Sequence, residues 1–275
     1  MNSATVTLVR PRNALATRVT QGRVALSEWT KLRSLRSTWY TLLITAMATI
    51  GFGMIASAAT ASNWTSMSAG DKATFDPLST SLLGVDFGVL AIGVLGVLLI
   101  TGEYSTGMVR STFAAVPTRL PVLWAKVGVF ALVGFAVALP STLIAFFAGQ
   151  AFLSSQHIQI AFSHSGVPVA VVGSAVYLML VGLFGIGLGT ILRNTAAGIA
   201  TFAAIMFVIP PLVGILPASL ANAIDPYLPN NAGAAVMVIT AQAHTLSPWA
   251  GLAVFAGYCA AALAAGAVVL MRRDV

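Results

Sequence analysis

Six runs of apolar residues, at 39–61, 82–101, 122–153, 167–192, 195–217 and 248–271, take up most of this 275-residue chain. A helix needs roughly 20 mostly apolar residues to cross about 30 Å of hydrocarbon, and every run reaches that length. None alternates apolar and polar residues as a barrel strand does, so the spans are predicted to be helices, which satisfy their backbone hydrogen bonds internally. Only 8 % of the residues are charged, against about 25 % in soluble domains, and the mean hydropathy is +0.92. An all-α integral membrane protein follows, with one six-span domain over 21–275 and no length left for a second folded domain. Residues 1–20 carry Arg10, Arg12 and Arg18 and no acid; a disordered, basic cytoplasmic tail is expected there. No cleavable signal is expected, because the first apolar run is a full span rather than a short one with a processing site. Cys259, the single cysteine, falls in the last run, which excludes an internal disulfide and a cysteine-based metal site.

Lys and Arg in short loops collect on the cytoplasmic side. With six spans drawn, Arg23, Lys31, Arg33 and Arg36 precede the first, Arg110, Arg119 and Lys126 follow the second, Arg193 follows the fourth, and Arg272 and Arg273 follow the sixth. All fall on one side, whereas the other side carries Lys72 with Asp71, Asp76 and Asp225. Both termini are therefore predicted to be cytoplasmic in a multi-pass membrane protein. The net charge of +7 is mainly this topology signal; no folded basic face with aromatic partners points to nucleic acid.

Two stretches on the basic side read as helices that are not spans. In "GRVALSEWTKLRSLRSTW", Val24, Ala25, Leu26, Trp29, Leu32 and Leu35 share a broad arc, with Arg23, Ser27, Thr30 and Lys31 opposite. Such a helix can lie in the headgroup layer; a juxtamembrane basic segment that only sets topology explains the same residues. In "GEYSTGMVRSTFAAVPTR" a helix is predicted over 103–115, with Glu103 and Arg110 on one face and Pro117 as its stop. A simple connector between spans needs only a few residues, so the extra length fits a docking surface for a cytoplasmic partner.

These two stretches and the span layout from Arg23 to Asp274 resemble the permease subunits of type-2 ATP-binding-cassette (ABC) exporters, particularly small actinobacterial ones. The resemblance implies an interfacial elbow helix including Glu28, Trp29, Lys31, Arg33 and Arg36. It implies a cytoplasmic coupling helix that docks on a separate nucleotide-binding ATPase subunit, with Glu103, Tyr104, Thr106, Gly107, Met108 and Arg110 as the coupling residues. It further implies an outer re-entrant hairpin between the fifth and sixth spans, for which 232–241 suits one arm. The complex so implied has two ATPase copies and a second permease half, the same or a related chain, with ATP and Mg on the ATPase. This chain contains no G-x-x-x-x-G-K-[ST] phosphate loop, so it is expected to hold no cofactor and to hydrolyse no ATP itself.

Within the spans, Asp86 is the formal charge that stands well inside a run. An intramembrane carboxylate points to function, yet its place near the outer end also suits a solvated or hydrogen-bonded structural role. Pro140 and Pro210 can each bend a span and open a pathway, as they also do in static bundles. Glycines at 84/88, 93/96 and 182/185/189 let helices approach closely. His157, His164 and His244 fall on the outer side without ligand spacing, so no metal is expected. The expected function is export of a hydrophobic or amphipathic substrate, such as a drug, antibiotic, peptide or lipid-like molecule. A secondary transporter should show repeated halves and buried midplane charges, which are not evident. A non-transporting assembly or regulatory component shares the same hydropathy.

Overall fold

The computed structural model describes residues 20–116, 118–239 and 244–272. The basic tail at 1–19, Pro117, and positions 240 and 241 of the expected hairpin arm lie outside the described residues. Among the described residues there is no strand. Six helical segments are long and apolar enough to cross a membrane: Arg36–Ser66, Pro77–Ser105, Leu120–Gln156, Val167–Leu192, Thr195–Val213 and Pro248–Arg272. They match the six apolar runs, with the first three extending further at both ends and the fifth ending four residues earlier.

The helices in chain order are α1 (Gln21–Ser34), α2 (Arg36–Asn63), α3 (Ala69–Ala73), α4 (Pro77–Leu82), α5 (Gly84–Ser105), α6 (Met108–Ala115), α7 (Leu120–Leu153), α8 (Val167–Leu192), α9 (Thr195–Ala203), α10 (Ile209–Val213), α11 (Ala218–Ile224), α12 (Pro229–Ala234) and α13 (Pro248–Arg272). The central pair is α5 and α8, with α7 and α13 packed on α8 and α2 packed on α5 and α7. Small residues bring the central pair together: a Cβ on Gly96 would collide with the Gly182 carbonyl, and one on Gly185 with the Gly93 carbonyl. Because lipid tails are as apolar as leucine, such close packing rather than hydrophobicity holds membrane helices together. Side chains fill the remaining gaps, with Phe130, Leu178, Ile186, Phe202 and Phe255 fully buried.

The fifth span is peripheral: 17 % of its most apolar window is buried, against 72 % for the fourth. Its middle, Ala204–Val208, is a π-helical turn, and Pro210 and Pro211 follow in α10. Two consecutive prolines remove two backbone donors, and a wider turn just before them re-registers the ladder. Pro140 lies on an exposed face of α7, which continues through it.

After the fifth span α11 is exposed, but residues 228–237 fold back against α8 and α13. Val236 meets Gly173, the Tyr177 ring meets Gly233, and the Ala232 carbonyl meets Gly251. Ala232 is fully buried rather than placed in an exposed outer loop.

Candidate functional site

The basic end of the bundle is where α1, α6 and the ends of α5, α7, α8 and α13 meet. α1 lies along α7 and buries Val24, Glu28 and Leu32, one residue per turn of a single helical stripe. Val24 packs with Val122, Ala125 and Phe113, so a small apolar cluster joins α1, α6 and α7. Leu26, Trp29, Leu35, Arg33 and Arg36 stay exposed. The chain turns at Leu35, where Trp39 Nε1 donates to the Arg33 carbonyl at 3.1 Å.

The inward-facing Glu28 sits in a four-charge network. Its Oε1 accepts from Lys31 Nζ at 2.6 Å, and its Oε2 accepts from Lys126 Nζ in a short contact. Glu103 Oε1 accepts from Lys126 at 2.9 Å and from Lys31 at 3.2 Å. Lys31 Nζ also donates to Thr112 Oγ1 at 3.1 Å, and that hydroxyl donates to the Met108 carbonyl. Glu28, Glu103 and Lys126 are buried. Two carboxylates and two ammonium groups balance, so every charge removed from solvent has an opposite neighbour. Burial of this kind contributes little net stability but fixes geometry, because loss of one partner strands a buried charge. Here the geometry fixed is that of α1, α5, α6 and α7 relative to one another.

Lys31, expected on the solvated arc, points inward for this reason. The helix predicted over 103–115 is likewise corrected. Glu103 and Tyr104 belong to the last turn of α5, and α6 starts only at Met108. The break falls at Gly107, whose φ of +72° is in the left-handed region. Its N–H donates to the Tyr104 carbonyl at 3.2 Å, and the Thr106 N–H donates to Gly102 at 3.1 Å. These bonds close the end of α5 with a glycine just past it, the usual helix stop. Glu103 and Arg110 therefore do not share a helix face. Glu103 faces the network, whereas Arg110 is exposed with Thr106, Gly107, Ser111 and Ala114. Met108 is half-buried and Val109 buried.

A second set of contacts ties down the other side of α6. Arg119 lies over the Phe113 ring at 5.6 Å and donates from Nη1 to the Leu270 carbonyl at 3.1 Å. Arg193 lies over the Tyr104 ring at 5.2 Å and donates from Nη2 to the Val269 carbonyl. The end of α5 and α6 are thus linked to the turn between α8 and α9 and to the last span. Beside the network, a cavity of about 310 Å³ opens between α1, α2, α5 and α7, walled by residues such as Leu32, Thr38, Leu95, Leu99 and Met108. Among the described residues no cluster of three or more His, Cys, Asp or Glu could hold a metal ion. The arrangement links α1, α5, α6 and α7 mechanically.

The structure brings Glu28 and Lys31 of the first basic-side stretch to Glu103 of the second. It does not bring Asp86, Pro140 or Pro210 to them. Asp86 is 17 residues before Glu103 on α5, about 26 Å away along the axis. Lys126 and Thr112 were not singled out from the sequence as site residues. A signal existed for the network: Glu28 is the single acid in the first 70 residues, and Lys126 is the single charge in the third apolar run.

No family model and no curated protein matches this chain.

Proposed function

We propose that this chain is the membrane permease subunit of an ABC exporter, working with a separate ATPase subunit in two copies and a second permease half. Its substrate is a hydrophobic or amphipathic compound, moved across a bacterial cytoplasmic membrane from the side on which α1 and α6 lie. The observation that carries this reading is α6 itself. It is a short helix between the second and third spans, exposing Arg110, Ser111, Ala114 and Ala115 on one side and anchored on the other through Thr112, Val109 and Phe113. A partner that pushes on such a helix moves α1, α5 and α7 together, since the charge network joins them. In this reading α1 is the elbow helix, with Trp29 and Leu26 toward lipid, and residues 218–239 form the outer re-entrant segment. This sequence contains no phosphate loop, and in this reading ATP and Mg are held by the partner.

The test is affinity purification of the tagged chain from its native membranes. A nucleotide-binding protein with ATPase activity should copurify, and Arg110→Glu combined with Ser111→Glu should reduce its recovery at least tenfold while leaving the permease folded. Absence of any ATPase from the wild-type preparation, or normal recovery with the double variant, would reject the assignment of α6 as a coupling helix.

A further inference from the structure

At the end of the bundle opposite α1 and α6, the described carboxylates fall into two classes. Asp71 Oδ2 accepts from Ser68 Oγ at 2.7 Å, Asp76 Oδ1 accepts from the Leu78 N–H at 2.9 Å, and Asp225 Oδ1 accepts from Asn231 Nδ2 at 2.9 Å. Each of these three shapes a local turn or helix start. Asp86 differs. Among the described residues its carboxylate takes part in no hydrogen bond or ion pair, and it interacts electrostatically with Tyr177. It lies on the first turn of α5 and faces a groove of about 400 Å³ between the α4–α5 corner and residues 230–238.

The groove has two kinds of wall. Ser79 and Thr80 present hydroxyls whose protons are already committed to the Asp76 carbonyl, so their oxygens remain as acceptors. Leu83, Met237 and Val238 present apolar surface. Asn230 is held in place by a hydrogen bond from Tyr177 Oη to its Oδ1 at 2.9 Å. The one described lysine or arginine of this end, Lys72, has its ammonium over the Trp64 ring at 5.5 Å. Among the described residues no lysine or arginine is directed at Asp86.

Asp86 is exposed rather than buried, so a cation entering the groove can reach its carboxylate without displacing a partner. Calcium and magnesium need six or more oxygen ligands or several retained waters, and one carboxylate with two hydroxyls beside apolar walls supplies neither. The volume falls in the range of small-molecule sites, which are mostly apolar with a few fixed polar groups. We propose that this groove binds an organic cation, an ammonium- or phosphonium-type charge carried on an apolar body, with Asp86 as its counter-charge. As a statement of transported substrate class this rests on the permease reading, whereas binding itself does not. The same chemistry is offered by a free amphipathic cation and by the ammonium headgroup of a lipid.

The experiment uses the full chain purified in dodecyl maltoside and titrated with tetraphenylphosphonium, with neutral triphenylphosphine oxide as the charge control. Saturable binding of the cation is expected, with at least tenfold weaker binding of the neutral compound. Asp86→Asn should weaken cation binding at least tenfold, Asp86→Glu should retain it within about threefold, and Asp71→Asn should leave it unchanged. Ala234→Trp, which narrows the groove without touching the carboxylate, should also abolish binding and covers the case in which Asp86→Asn does not fold. Repeating the titration in nanodiscs with and without phosphatidylethanolamine separates the sources: competition identifies the lipid headgroup, and its absence a free cation. Failure of the wild type to bind, or equal binding by folded Asp86→Asn, overturns the proposal. Neither result bears on recovery of an ATPase through α6, so the two readings fail separately.

Discussion

Lys126 Nζ lies 2.9 Å from Glu103 Oε1, joining the start of the third span to the end of the second. Both groups are buried and share their partners with Glu28 and Lys31, which bind the neighbouring α1 into the same unit. Truncating Lys126 to Met should cost about 3–5 kcal/mol, because it strands two buried carboxylates on one lysine. Adding Glu28→Met removes one stranded charge, so the double variant should be less destabilised than the sum of the singles. Midpoints of SDS-induced unfolding for the four proteins of the cycle measure this; strict additivity would show that the network is not coupled.

The contact of Gly96 with the Gly182 backbone makes a second prediction. Gly96→Ala should destabilise the bundle at or beyond the roughly 1–3 kcal/mol typical of overpacking, since the added methyl meets a backbone carbonyl that cannot rotate away. Gly128→Ala in α7 is the control. A Cβ there meets nothing within 4 Å, and relief of helical glycine should stabilise by about 0.5–1 kcal/mol. The same unfolding titration reads both, with opposite signs expected.

Gly107 isolates a backbone effect, because a Cβ there also meets nothing within 4 Å. Its cost arises only from the positive φ, about 1–2 kcal/mol for Ala, with Asn tolerated better than Ala. Gly107→Ala should lower the unfolding midpoint modestly but change α6 reactivity more. Cysteine at Ser111 should show altered labelling kinetics in the Gly107→Ala background and near-normal kinetics in the Gly107→Asn background.

Sidedness is checked in a Cys259→Ala background with single cysteines at Ser111 and Ser155, both exposed and at opposite ends of the bundle. An impermeant thiol reagent should label Ser155→Cys in intact cells, and should label Ser111→Cys only after the membrane is opened. The reverse pattern would place α1 and α6 outside, against the one-sided distribution of lysine and arginine.

Hydropathy alone located the six spans, because the free energy of placing a segment in hydrocarbon is close to a local sum over its residues. The one-sided basic loops were legible for the same reason, as was the use of glycine for close approach. The tertiary structure decided which charges face each other. Glu28 and Lys126 are 98 residues apart, and their meeting depends on how α1 lies along α7, which no local pattern states. The break at Gly107 was written in the sequence as a glycine after a polar helix end, yet amphipathic spacing on both sides masked it. Asp86 stood out as a charge in an apolar run. That it makes no hydrogen bond or ion pair among the described residues, while Asp71, Asp76 and Asp225 have theirs, follows only from the fold of residues 228–237 against α8 and α13. Membrane insertion sums over a segment, whereas pairing depends on direction, and direction is set only when helices pack.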